Sequence, residues 1–440
     1  MLAEKPSLKK AIRLPHATAM VVGTIIGASI FVQPSEITGQ VPSIEGVLMV
    51  WLVAGILTLF GTLVCAELAS IFTRTGGVYV YLKEAFSPAV GFLWGWAMFW
   101  SMHSGIIAVV AVIFARYLGY FIPIGDMGIR IAAISVILFH SIINYIGVKQ
   151  GSNLQTAFTI GKVLAIVLII IVGFTLGSKL PQHFQTGEIQ QQEISFTQIL
   201  TALIAGLFAF GGWHMVTYNS EETVNPKKTI PRALIYGTVL VTICYVALNT
   251  VYLYVLPLDI VASSTRIAAD AADVLVDSGG GAFMSGLVMF STFGAIGGII
   301  LAGPRVYYAM AKDGLLFKWI GDLHPRFGTP YKAITLQAIW SSILVLTGTY
   351  RELFTRVIYT EWIFFGLMAI GLFIFRKNKR FERSYNMPGY PVVPVIFILA
   401  SFLIVINQII QDPWESFTGL SFVLIGLVVY YLTNRKHMKL

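Results

Sequence analysis

The chain has 440 residues, of which 56% are hydrophobic and only 12% are charged. A soluble domain of this size needs a more polar surface, so the composition excludes a soluble protein and indicates a membrane protein. The net charge of +9 suggests a nucleic-acid-binding protein as the alternative. Of the 30 lysines and arginines, 22 lie before the first apolar segment, after the last, or in every second gap, with Lys332 counted at the edge of one, and four lie in the other gaps. By the positive-inside rule, the surplus charge reflects membrane topology and predicts two cytoplasmic termini.

Apolar runs of about 20 residues, enough to cross a hydrocarbon core of about 30 Å, recur along the whole chain. They predict an all-α polytopic membrane protein with one transmembrane domain over residues 1–440. The polar start runs into an apolar stretch longer than a signal-peptide core, so we expect the first span to be retained. Twelve spans are predicted, at 17–39, 46–71, 90–121, 131–147, 156–177, 197–219, 233–257, 282–311, 332–350, 353–375, 391–410 and 417–433.

Two of these spans are interrupted by small residues near their middle. The first contains GTIIGASIF at 23–31 and the sixth contains GLFAFGGW at 206–213. Where a spanning helix opens, its freed N–H groups and carbonyls offer about half a charge of each sign. An amino acid carries both charges on its backbone. The alternative is that the small residues only let helices pack closely, but two interruptions in corresponding places favour broken helices.

If the first span corresponds to the sixth, the first ten spans divide into two halves of five. An odd number of spans per half requires the second half to enter the membrane the opposite way up. This predicts an inverted repeat with its site near the midplane, between the broken helices. Repeat one covers about 11–177, repeat two covers about 197–375, and two appended helices cover about 391–433.

Six motifs in order give the chain a family resemblance. They are GTIIGASIF, AEL at 66–68, TGGVYVYL at 75–82, TIGKVLAI at 159–166, GLFAFGGW followed by EETVNPKKTIPRA at 221–233, and RVYYAMAKDGLL at 305–316 followed by HPRFGTP. Together they resemble the amino acid/polyamine/organocation superfamily, and within it the L-type amino acid transporter family and its bacterial members. The resemblance covers about residues 10–335 and is weaker beyond.

The resemblance implies a secondary amino acid transporter that works by alternating access, and it favours exchange; we expect its substrates to be neutral L-amino acids. Proton-coupled amino acid uptake is the alternative mechanism. Small residues at Ala28 and Gly211 and the lack of an evident acid in the pocket also favour neutral substrates over cationic ones.

The break in the first span is the predicted site for the substrate carboxylate. Backbone N–H groups at a helix start can bind a carboxylate without an isolated cation in the membrane, and Gly27, Ala28 and Ser29 are placed to do so. The resemblance implies the same role, usually with a Gly-Ser-Gly pattern. Here the pattern is Gly-Ala-Ser, which keeps the backbone donors and moves the hydroxyl one position later.

The break in the sixth span is the predicted site for the substrate ammonium. Carbonyls released at Phe208, Ala209, Phe210 and Gly211 can accept its hydrogen bonds. The resemblance adds the carbonyl of Ile25. It also implies that Phe208 is an aromatic lid that must move before substrate leaves outward.

Lys162 lies near the middle of the fifth span, where a lysine costs about 2.5–3.5 kcal/mol on insertion scales. The resemblance implies that it lies against the broken part of the first span, in the place where sodium-driven relatives of this fold bind sodium. This predicts sodium-independent transport, with Lys162 linking the first span to spans five and eight. A proton-coupling role and a lysine that reaches the membrane interface are the alternatives.

Five further residues are singled out by charge or position. His214 is either an imidazole bonded to a neighbouring helix or a wall of the side-chain pocket. Tyr245 matches a family tyrosine that approaches the first span, with simple packing as the alternative. Glu67 and Arg305 are predicted to form salt bridges near the cytoplasmic ends. Glu361 either lines the cavity or lies near the outer face.

Other functional classes lack their signatures. The histidines and acids show no metal-binding spacing, and the chain has no Walker motif, so we expect no metal, no cofactor, no ATP and no enzymatic activity. A channel would require a selectivity filter. Cys65 and Cys244 lie in apolar runs and are predicted to be packing residues. Residues 121–130 lack the cysteine that joins animal members of the family to a heavy subunit, so we expect no such partner and a bacterial cytoplasmic membrane location.

Overall fold

The computed structural model describes residues 12–27, 29–146, 151–177, 194–276, 279–348, 350–378 and 380–433. Within these ranges the chain is almost wholly helical, apart from loops and one backbone bridge between Ile12 and Thr223. The α-helices are α1 Leu14–Ile25, α2 Gln33–Gln40, α3 Ile44–Ile71, α4 Val78–Ala85, α5 Pro88–Ala97, α6 His103–Leu118, α7 Asp126–Ile146, α8 Gly151–Leu176, α9 Phe196–Ala209, α10 Pro226–Val255, α11 Leu258–Ser263, α12 Ile267–Val276, α13 Gly280–Lys312, α14 Tyr331–Thr347, α15 Tyr350–Lys377, α16 Val392–Gln411 and α17 Pro413–Thr433.

The all-α membrane architecture is confirmed. In the described part of the chain, ten helical segments are long and apolar enough to cross a bilayer. The first and ninth predicted spans are not among them, for different reasons. The first is divided between the 12-residue α1 and the 8-residue α2, and the ninth corresponds to α14, which has 17 residues. The total of twelve spans, and the division into repeats, remain predictions.

Small residues bring the central helices together. A methyl group added at Gly55 of α3 would lie 2.4 Å from Thr242 of α10, and one at Gly237 of α10 would lie 2.5 Å from Val21 of α1. Such separations admit only a hydrogen at these positions. Because lipid provides no hydrophobic driving force between helices, this close approach is what holds α1, α3 and α10 together.

One end of the bundle, which we call the α4 end, is held by charged contacts. Asp313, just after α13, accepts hydrogen bonds from Lys83 Nζ at 2.7 Å and from the Tyr79 hydroxyl at 2.6 Å. Partial burial raises the pKa of Asp313, but these two hydrogen bonds outweigh it and hold the pKa below its usual value. The stabilisation is therefore present above the ordinary aspartate pKa and is lost as the pH falls through the lowered one.

A second contact at the α4 end has a fully buried acid at its centre. Glu67 of α3 has no exposed side-chain surface and receives both Nε and Nη2 of Arg376 from α15, with Nε 2.7 Å from Oε1. The backbone N–H of Met387 donates to Oε2 at 2.8 Å, and Arg383 Nη1 lies 3.6 Å from Oε1. The predicted salt bridge of Glu67 is confirmed. It fixes the segment between α15 and α16 to α3.

Glu67→Gln should destabilise the protein, because it leaves the half-buried Arg376 guanidinium without its counter-charge. Removing one partner of a buried pair costs about 3–5 kcal/mol. The measurement is the thermal unfolding midpoint of purified protein in detergent. Glu382→Gln, an exposed acid in the same α15–α16 segment, is the matched control and should change little. Equal midpoints for the two variants would contradict the role assigned to the pair.

Candidate functional site

The first break separates α1 from α2. α1 ends at Ile25, and Ile26 turns the chain with φ −69° and ψ 77°, so that the Gly27 N–H donates to the Ile25 carbonyl at 2.6 Å. This is an inverse γ-turn, which cannot continue an α-helix. The chain resumes as a 3₁₀ turn at Ser29–Phe31 before α2 begins. Ala28 lies outside the described residues.

The second break follows α9. The helix ends at Ala209, and Gly212 adopts φ 90°, a left-handed conformation that favours glycine. A 3₁₀ helix, Trp213–Glu222, then continues in place of an α-helix. A Cβ atom at Gly212 would lie 3.0 Å from the Thr24 carbonyl oxygen of α1. The two breaks are therefore in direct contact, and both predicted interruptions are confirmed.

Tyr245 of α10 joins the two breaks. Its hydroxyl lies 2.9 Å from the Ile25 carbonyl and 3.1 Å from the Ala209 carbonyl. A tyrosine hydroxyl has one hydrogen to donate, so the two carbonyls share it. The ring is fully buried and packs against Phe210 and Trp51, with centroid distances of 5.0 Å and 5.6 Å. Sequence analysis left packing and function open for Tyr245, and the structure gives it both a packing contact and a polar one.

A cavity of about 40 Å³ lies beside the breaks. Backbone-rich positions of the broken helices form one part of its wall, and side chains of α6, α8, α13 and α15 form the rest. The lining residues are Gly23, Thr24, Ile25, Gly27, Ser29, Ile106, Val110, Phe158, Thr159, Lys162, Phe208, Gly211, Gly212, Met215, Gly294, Ala295, Gly298, Ile299, Val357, Ile358 and Glu361.

Lys162 lines this cavity and is 3% exposed. Its helix is held tightly on both sides. A Cβ atom at Gly23 of α1 would lie 2.2 Å from Thr159 of α8, and one at Gly294 of α13 would lie 2.6 Å from Phe158. α8 is thus packed between α1, just before its break, and α13. Lys162 projects into the cavity from the next turn of α8, and it has no hydrogen-bond or ion-pair partner among the described residues.

The other predicted site residues divide into two groups. Ile25, Gly27, Ser29, Phe208 and Gly211 line the cavity. Ala209, Phe210, Tyr245 and His214 lie behind its wall.

His214 lies within a cluster of aromatic rings. It makes edge contacts with Trp94 at 5.7 Å and Phe365 at 5.1 Å between ring centroids, and it is 1% exposed. Its neighbour Met215 reaches the cavity, whereas His214 does not. A direct contact of His214 with substrate stays a prediction.

Glu361 is the residue whose location sequence analysis left open, and the structure places it in the cavity wall. The assumption that no acid lies in the pocket was therefore wrong. α15 is tightly packed against α6 at this level, since a Cβ at Gly105 would lie 2.6 Å from Val357, and this contact turns Glu361, one helical turn further, inward. An ionisable side chain inside a span is itself the available signal.

Sequence analysis also missed the wall contributed by α6, α13 and α15. The α13 positions Gly294, Ala295, Gly298 and Ile299 lie at helical spacing on one face. Glycines in an apolar helix have the same pattern whether they face another helix or a cavity, so the sequence alone does not separate the two. In the described part of the chain, no group of three histidine, cysteine or acidic side chains is arranged to hold a metal ion.

The two breaks offer complementary chemistry. Backbone N–H groups at the start of the Ser29–Phe31 turn suit an anion, and carbonyls at the end of α9 suit a cation. Because the breaks touch, both kinds of group border one small cavity. This arrangement can bind a compact zwitterion.

Comparison with known proteins agrees with this geometry. The family model for amino acid permeases matches residues 12–432. The chain is 34% identical over 435 residues to the serine/threonine exchanger SteT of Bacillus subtilis, covering 98% of each protein. It is 31% identical to the human b(0,+)-type amino acid transporter 1, covering 97% of this chain and 88% of that one. It is 29% identical to the human cystine/glutamate transporter, covering 98% and 86%. The chain therefore belongs to the amino acid permease family of the APC superfamily, a family of transporters and not of enzymes.

Proposed function

We propose that this protein exchanges neutral L-amino acids across the cell membrane by alternating access, without sodium. The observation that carries the proposal is Lys162, a buried ammonium beside the break of α1, in the same cavity as both sets of freed backbone groups. The substrate carboxylate binds at Gly27–Ser29 and its ammonium at Phe208–Gly211. Exchange is supported by the bacterial relative, whose name describes a serine/threonine exchanger.

Lys162 supports sodium independence through its position and charge. Its ammonium would repel a second cation bound nearby, since two unit charges 4 Å apart interact with about 4 kcal/mol at an effective dielectric constant of 20. In this proposal the Lys162 ammonium takes the place that the family resemblance assigns to a sodium ion in sodium-driven relatives of the fold. In this proposal the ammonium, which has no hydrogen-bond partner among the described residues here, couples the break of α1 to α8 and α13 as these elements move, and does not itself touch substrate.

The positive-inside bias supports a cytoplasmic α4 end with both termini on that side. The contacts of Asp313 and Glu67 then lie at the cytoplasmic face, and we propose that they stabilise the conformation that is closed there. Phe208, buried in the cavity wall, is proposed as the outer lid. We expect no disulfide-linked heavy subunit, because both cysteines are buried inside the chain.

The proposal is tested by uptake of labelled L-serine into liposomes that contain the purified protein. L-Serine is chosen because the bacterial relative is named for it. Uptake should require L-serine inside, and replacing sodium by choline should leave the initial rate nearly unchanged. A fall of more than about tenfold without sodium would mean over 1.4 kcal/mol of coupling and would contradict sodium independence. Uptake into empty liposomes driven by an inward proton gradient would support the proton-coupled alternative instead.

Lys162→Ala should reduce turnover much more than substrate binding, because the lysine is proposed to link moving elements and not to contact substrate. We expect a loss of transport of at least about tenfold, equivalent to 1.4 kcal/mol, with equilibrium binding changed far less. Ile160→Ala, on the exposed face of the same helix, is the matched control and should transport normally. Loss of binding in a correctly folded Lys162→Ala protein would show that the lysine contacts substrate directly.

Recognition of both backbone charges should be strict. Methyl esters of amino acids, and amines without the carboxylate, leave one set of buried backbone groups unpaired, at a cost of about 1–3 kcal/mol or more. Each should compete with labelled L-serine at least tenfold worse than the parent amino acid. Competition by an ester as strong as by its parent amino acid would contradict the carboxylate role of Gly27 and Ser29.

A further inference from the structure

Glu361 is an acid in the substrate cavity that the proposed function does not use. It enters from α15, which is not one of the broken helices, and it is 3% exposed. Among the described residues it has no hydrogen-bond partner and no cation within 4.0 Å. Lys162 lines the same cavity but does not pair with it.

The other titratable groups nearby do not neutralise Glu361. His103 of α6 is engaged by its Nε2 with the Ile299 carbonyl at 2.7 Å, and His214 is enclosed by aromatic rings. The Tyr218 hydroxyl is directed to the Met98 sulfur at 3.9 Å. Further buried titratable side chains on the surrounding elements include Cys65 of α3, Tyr79 and Tyr81 of α4, Tyr117 of α6, Tyr307 of α13, and Glu67 of α3, which is paired with Arg376.

A carboxylate in this position needs a counter-charge whenever the cavity is closed to water. The effective cost of an unpaired buried ion is several kcal/mol, and the described protein atoms offer no partner to offset it. The positive charge that balances Glu361 can then come from a bound proton or from the substrate itself. A substrate with a neutral side chain supplies no such charge, so the Glu361 carboxyl must then be protonated. A cationic side chain supplies one, and the carboxyl can then stay ionised.

We propose that Glu361 holds one positive charge in every closed, loaded state: a proton beside a neutral amino acid, or the side-chain cation of a cationic amino acid. The inference rests on the proposed exchange function and extends its substrates to amino acids with an ammonium or guanidinium side chain. Exchange of a cationic for a neutral amino acid then moves a proton together with the neutral one.

The charges balance in each step. When the site opens, the neutral amino acid leaves, and the Glu361 carboxyl releases its proton to the water on that side as a cationic side chain binds. The resulting carboxylate and cation cross together. One positive charge enters with the cationic amino acid and one leaves as the proton, so the exchange is electrically neutral.

The experiment uses liposomes that contain the full-length protein, L-serine and a trapped pH-sensitive dye, with labelled L-lysine added outside. L-Lysine should enter while the internal pH rises, with one proton leaving per lysine. The rate should not change when a potassium gradient with valinomycin sets the membrane potential. External L-serine should exchange with no pH change.

Variants test whether L-lysine transport and the accompanying proton release depend on Glu361. Glu361→Gln should reduce the ratio of L-lysine to L-serine transport at least tenfold and abolish the proton movement, whereas Glu361→Asp should retain both in part. Glu382→Gln, an exposed acid outside the membrane cavity, should leave the ratio unchanged. Thermal unfolding confirms that each variant is folded, and the wild-type proton count does not depend on any variant.

Three results would overturn the inference while the exchange function stands. They are L-serine exchange without any L-lysine entry, L-lysine entry without proton release, and an unchanged transport ratio in Glu361→Gln. Absence of L-serine exchange in the wild-type protein would overturn the proposed function itself, and this inference with it.

Discussion

The structure depends on the hydrogen bonding of backbone groups in lipid. Inside a bilayer no water is available, so each N–H and carbonyl must find a partner within the protein or border a cavity. The regular α-helical hydrogen bonding of α1 and α9 is interrupted at 25–27 and 209–212. The protein compensates by placing the two interruptions in contact and by adding one tyrosine hydroxyl that serves a carbonyl from each.

Charged groups in this protein fall into two kinds, according to whether the protein pairs them. At the α4 end, Glu67 and Asp313 receive several donors each and hold helices together. In the cavity, Lys162 and Glu361 are buried without such partners among the described residues. A paired ion costs little to keep and acts structurally, whereas an unpaired buried ion persists only where something else meets its charge. That difference singles out the cavity as the candidate functional site independently of the motifs.

Close packing and ion placement are coupled. Gly23 and Gly294 allow α1 and α13 to approach α8 from both sides, which sets where Lys162 enters the cavity. The same glycines give few side chains to the wall, so the cavity is bordered largely by backbone on that side. A larger residue at either position would separate the helices and displace the ammonium.

The sequence by itself determined the elements of this protein. Long apolar runs specify membrane helices because length and hydrophobicity are local properties, and the interruptions at 23–31 and 206–213 located both breaks because small residues weaken a helix wherever it packs. Lys162 was identified as a site residue because an ionisable group in a span is costly whatever surrounds it.

The tertiary structure decided which side chains face the cavity. Sequence periodicity does not distinguish a helix face turned to a neighbouring helix from one turned to a cavity, since both are apolar and rich in small residues. For this reason His214, next to a break in sequence, lies among aromatic rings, while Glu361, about 150 residues further along the chain, lines the site. The bridge from Tyr245 to both breaks likewise exists only because α10 packs against α1 and α3 at one particular level. The long-range packing of α6, α13 and α15 therefore encloses the cavity and places one acidic side chain, Glu361, and one basic side chain, Lys162, in its wall.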